Sequence, residues 1–84
     1  MLMHHPHRAS ELARSVDLRV ARHIRAQRLR IGMTQQKLAE LIGVAFQQAH
    51  KYEHGLSRVS AGRLYQIKVV FETPITYFNT IIEM

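Results

Sequence analysis

The chain has 84 residues, no cysteine and 46% apolar residues, which suits one small domain with a compact core and excludes a deep enzyme cleft, disulfides and thiolate metal sites. Twelve Lys/Arg against six Asp/Glu give a net charge of +6, the balance expected of a protein that meets a polyanion such as nucleic acid. No apolar run approaches the ~20 residues of a membrane span and the start has no signal-peptide pattern, so a cytoplasmic protein without a membrane partner is expected.

Residues 1–16 lack sustained periodicity as far as Ala9 and contain Pro6, which predicts a flexible arm that can extend the first helix. Ser10 or Asp17 can cap that helix, since each offers a side-chain acceptor to free amides. From Asp17 to Ile31 the apolar residues Val20, Ala21, Ile24 and Ile31 recur at helical spacing, with Arg19, Arg22 and Arg25 on other faces, solvated, or in the alternative brushing phosphate. Gly32 stops the helix. Thr34 is a good N-cap for a second helix to Ile42, whose Leu38, Ala39, Leu41 and Ile42 form an apolar stripe. Gly43 ends it.

A third helix is predicted over Phe46–His54, with Ala49 and Tyr52 inward, and Gly55 closes it. Ser60 caps a fourth helix containing Leu64, Ile67 and Phe71. Thr73-Pro74 starts a short fifth helix bearing Tyr77, Phe78, Ile81 and Ile82. No strand pattern, repeat or low-complexity tract appears beyond the histidine-rich start. The expected class is all-α with five helices. Residues 17–80 form the domain, and residues 81–84 form a short apolar tail that either folds back on the bundle or makes a dimer contact.

Thr34–Ile42, Gly43-Val44-Ala45 and Phe46–His54 form a short helix, a tight turn and a second helix with an apolar inner and a polar outer face. This arrangement places a helix in the major groove of DNA. Val44 would plug the angle between the helices. Gln47, Gln48 and Lys51 lie outward near the start of the second helix. Glutamine can bond adenine N6 and N7; lysine can bond guanine O6 and N7 or a phosphate. The helix N-terminus itself favours phosphate.

These residues bear a family pattern. Arg28, Gly32-Met33-Thr34-Gln35, Leu38-Ala39, Gly43-Val44 and Glu53-His54-Gly55 occur in order, followed by Ser60, Leu64, Ile67 and the Pro74–Phe78 segment. The chain thereby resembles the phage-repressor (Cro/xenobiotic-response-element) family of helix-turn-helix DNA-binding proteins. The resemblance implies a five-helix lambda-repressor-like bundle. It makes Gln35 a phosphate contact, and Arg28 with Glu53 an ion pair joining helices one and three. Phe46, Gln47, Gln48 and Lys51 become the groove-facing set. Ser57 and Arg58 would touch the DNA backbone after Gly55, with Arg63 a candidate to join them. Three positions depart from the pattern. Phe46 stands where a polar residue is common, and either reads a thymine methyl or covers the turn. Lys68 falls where a small apolar residue packs, and Glu72 replaces a glycine.

The expectation is sequence-specific binding of double-stranded DNA by a small transcriptional regulator of the prokaryotic cytoplasm, associated with the nucleoid while bound. A homodimer on a two-fold site is expected, with Tyr77, Phe78, Ile81 and Ile82 as candidate contacts. The rival is a protein-interaction module, such as the antitoxin-like partner of a toxin. The polar outer face of helix three favours DNA. No enzyme is expected, since no paired carboxylates, nucleophile–base set or phosphate-cradling glycine loop occurs. No cofactor, small-molecule ligand or metal is expected either. His4, His5 and His7 lack a spaced second cluster, and His50 with His54 lacks a carboxylate ligand.

Overall fold

A computed structural model describes residues 6–73. Four helices follow one another: α1 (Pro6–Arg30), α2 (Gln35–Ile42), α3 (Phe46–Glu53) and α4 (Ala61–Glu72). No strand occurs among the described residues. The fifth helix expected from Pro74, with Tyr77, Phe78, Ile81 and Ile82, lies outside the described residues, as do His4 and His5. Among the described residues, four of the five expected helices are present.

α1 begins at Pro6, so Ser10 and Asp17, the two expected caps, both lie inside the helix. Proline at the first helical position needs no amide partner and has its φ already set. Ala9, Glu11, Leu12, Ala13 and Arg14 then supply a run of good helix formers. Farther along, Ala21 and Ile24 are buried, with Val20 and Ile31 packed partly against the core. The helix ends where Gly32 takes φ +72°. There the amide of Met33 donates to the carbonyl of Arg28 at 3.0 Å, and the amide of Gly32 donates to that of Leu29 at 3.1 Å. These paired bonds satisfy carbonyls that the helix end would otherwise leave unpaired.

Thr34 caps α2: its Oγ1 accepts from the amide of Lys37 at 3.0 Å. Leu38, Ala39 and Ile42 are buried, while Leu41 is only half-buried at the edge of the stripe. Gly43 closes the helix at φ +72°. The amide of Val44 then reaches back to the carbonyl of Ala39 at 3.0 Å, and the Val44 side chain packs partly against the core. The turn therefore leaves α3 crossing α2, with Ala49 and Tyr52 facing inward.

Ser60 caps α4, its Oγ accepting from the amide of Arg63 at 3.1 Å. The buried line of α4 runs through Ile67 and Val70. Leu64 sits on the edge of that line and is 38% exposed. Lys68 and Glu72 point to solvent and pair at 3.9 Å, so both departures from the family pattern fall on the outside of the helix. The central cluster is Ile24, Met33, Leu38, Ile42, Tyr52, Ile67 and Val70, drawn from all four helices and the α1–α2 turn. Burying each such side chain contributes roughly 1.5–3 kcal/mol.

Candidate nucleic-acid interface

The outer face of α3 is held in place by a buried polar clamp. Arg28 Nε donates to Glu53 Oε2 at 2.7 Å, and its Nη2 donates to Glu53 Oε1 at 2.9 Å. Its Nη1 donates to the carbonyl of Met33 at 2.8 Å. One guanidinium thus ties α1, the entry to α2 and the end of α3 together. The Glu53 side chain is fully buried and that of Arg28 nearly so. Such a pair adds little net stability over an apolar substitute, but every charged group in it is matched, so it fixes the angle of α3 without an uncompensated charge.

The N-cap of α3 is Ala45, which has no side-chain acceptor for the first amides of the helix. Phe46 is 48% exposed. It therefore stands beside the polar residues and not beneath them. Gln47 and Lys51 are exposed, and one turn separates them on the same face. Gln48 differs: it is half-buried, and its Nε2 donates to Ser57 Oγ at 3.0 Å. This bond spans α3 and the following turn, a contact no local pattern signals. It orients the Gln48 amide and also holds Ser57.

Gln35 is the first residue of α2 and half-buried. Arg58 is exposed, and its Nε donates to Asp17 Oδ2 at 3.2 Å, docking the α3–α4 turn against α1. Arg63, a candidate for the DNA backbone, is occupied elsewhere. Its Nη1 donates to the carbonyl of Ile42 at 2.6 Å and to Gln66 Oε1 at 2.7 Å. Arg63 thus satisfies a carbonyl at the end of α2, as a structural capping residue. His50 on α3 and His54 at its C-cap lie side by side, with ring centroids 4.1 Å apart. Among the described residues no group of three or more His, Cys, Asp or Glu is placed to hold a metal ion.

A short helix, a glycine turn and a second helix with an exposed Gln/Lys face on a clamped base are now in view. A family model described as helix-turn-helix matches residues 24–78. The chain belongs to the Cro/C1-type helix-turn-helix family. The chain is similar to curated proteins from several bacteria. It is 46% identical over 78 residues, 93% of this chain and 54% of the relative, to the "uncharacterized HTH-type transcriptional regulator y4aM" of Sinorhizobium fredii. It is 43% identical over 63 residues, 75% of this chain and 45% of the relative, to an "uncharacterized HTH-type transcriptional regulator" of Sinorhizobium medicae. It is 44% identical over 68 residues, 81% of this chain and 63% of the relative, to an "uncharacterized transcriptional regulator in ATPase CF(0) region" of Rhodospirillum rubrum. The helix-turn-helix chain spans about half the length of the curated relatives it matches. No solved structure matches it significantly. No described helix is long and apolar enough to cross a membrane.

Proposed function

We propose that this helix-turn-helix chain binds double-stranded DNA sequence-specifically and regulates transcription, with α3 in the major groove. The exposed Gln47 and Lys51 on a helix locked by the buried Arg28–Glu53 pair carry this reading. A rigid mount is what base-edge hydrogen bonding requires, because a bidentate contact is lost when the helix tilts. Gln47 is the principal base reader. Gln48, oriented by Ser57, and Phe46 flank it, and Lys51 reaches a base edge or a phosphate. Gln35, Ser57 and Arg58 contact the backbone and set the register.

One module covers few base pairs, so the active form is a homodimer on half-sites about one DNA turn apart, in the cytoplasm of a prokaryotic cell. Tyr77, Phe78, Ile81 and Ile82 are the candidate dimer contacts. The protein acts by binding and not by catalysis. Fluorescence anisotropy with random-sequence duplexes tests the base of this proposal. Binding that weakens steeply with salt supports it, and no binding at low salt overturns it.

A further inference from the structure

α1 reaches well past the core it serves. Its residues from Arg8 to Val16 are exposed, apart from half-buried Ala13. Where this projecting part begins, the α3–α4 turn leans on the helix. Asp17 accepts from Arg58, as described above. Leu18 lies so near Gly55 that a Cβ built there would sit 2.6 Å from Leu18 Cδ2. Leu18 therefore marks the side of α1 that looks toward the turn after α3.

At about 100° per residue, Arg14, Arg22 and Arg25 fall within about 40° of Leu18 around the helix. The coordinates agree with this count. Arg14 and Arg22 line a shallow concavity with Leu18 and Glu11, with Arg19 at its border. Arg22 and Arg25 line a second one with Leu18, Glu53 and His54, at the end of α3. All three arginines are exposed. Of the carboxylates nearby among the described residues, that of Glu53 is taken by Arg28 and that of Asp17 by Arg58, which leaves Glu11 against the three stripe guanidinium groups and that of Arg19. From Arg14 to Arg25 the stripe runs about 16 Å at 1.5 Å per residue, enough to follow a strand and not merely touch one phosphate.

We infer that this arginine stripe is a second DNA-backbone contact, gripping phosphates that flank the stretch read by α3 on the side of the Ser57–Arg58 turn. The inference rests on the DNA-binding reading above and adds to it a partner surface on α1. Guanidinium groups suit phosphate because their fork of donors matches two phosphate oxygens at once. The stripe carries no base information, so it raises affinity on all sequences alike.

The test is the salt dependence of binding by the full chain to a random-sequence duplex. Each phosphate contact contributes about 0.9 to the slope of log affinity against log salt, so Arg14→Gln/Arg22→Gln/Arg25→Gln flattens the slope by about 2.7. Between ~50 and ~200 mM salt the triple variant then loses roughly forty-fold less affinity than the wild type loses. Arg14→Gln alone, on the projecting part where folding is not at stake, flattens it by about 0.9. Arg14→Lys/Arg22→Lys/Arg25→Lys keeps most of the slope. Arg8→Gln/Arg30→Gln/Lys68→Gln removes the same charge from outside the stripe and leaves the slope near the wild-type value. An unchanged slope in the stripe variants overturns the inference while wild-type binding leaves the DNA-binding reading standing. Equal flattening by both glutamine triples also overturns it, by showing diffuse charge instead of a stripe. Absence of any wild-type binding overturns both.

Discussion

Glu53→Ala isolates the clamp beneath α3. It removes the acceptor of two Arg28 donors, at 2.7 and 2.9 Å, and leaves a guanidinium with one remaining partner, the carbonyl of Met33. Arg28 is only 7% exposed, so water cannot replace the lost carboxylate without opening the α1–α3 contact. Breaking a buried pair from one side costs about 3–5 kcal/mol, because the surviving charge is uncompensated. A domain of this size holds only about 5–15 kcal/mol in total. The melting temperature should therefore fall by at least about 12 °C, at 4–8 °C per kcal/mol. Urea unfolding followed by circular dichroism measures the change directly. The companion Arg28→Met/Glu53→Leu removes both charges and should recover much of the loss, although the Met33 carbonyl still lacks its donor. A Glu53→Ala variant within about 1 kcal/mol of wild type would refute the reasoning, by showing that the guanidinium finds water or swings out at little cost.

Local geometry and the proposed contacts set further outcomes. Thr34→Ala deletes the acceptor of the Lys37 amide and should cost about 1 kcal/mol by urea unfolding, with Ser60→Ala similar at α4. Gly43→Ala has open space around the new methyl but must hold φ +72°, so it should cost about 1–2 kcal/mol. Gly55→Ala must in addition displace Leu18, and its loss should exceed that of Gly43→Ala in the same assay. Gln35→Ala should weaken binding to all duplexes alike by roughly 0.5–1.5 kcal/mol in anisotropy titrations, with base preference unchanged.

What the sequence reveals here is mostly local. Gly32, Gly43 and Gly55 mark helix ends because left-handed backbone favours glycine, and Thr34 and Ser60 mark starts because their hydroxyls reach nearby amides. The spans of α2 and α3 match the expected ones to within a residue for that reason. Pro6 misled because proline serves both as a breaker and as a first helical residue, and only the helix formers after it decide between the two. The contacts that no pattern signalled join residues distant in the chain. Arg63 reaches the carbonyl of Ile42, and Arg58 reaches Asp17. Gln48 turns to Ser57 although its helical position alone reads as outward. The exposure of Leu64 likewise depends on where α4 meets its neighbours, which a spacing of apolar residues locates only to within an edge.

The most direct test of the central claim is selection of bound fragments from random duplex DNA by the full chain, done in parallel with Gln47→Ala. The wild type should enrich a short shared motif with two related halves about one DNA turn apart. Gln47→Ala should relax preference at one position within each half, by ~1–3 kcal/mol for a bidentate contact. A pool with no enriched motif, or a motif unchanged by Gln47→Ala, would contradict the assignment of α3 as the base-reading helix.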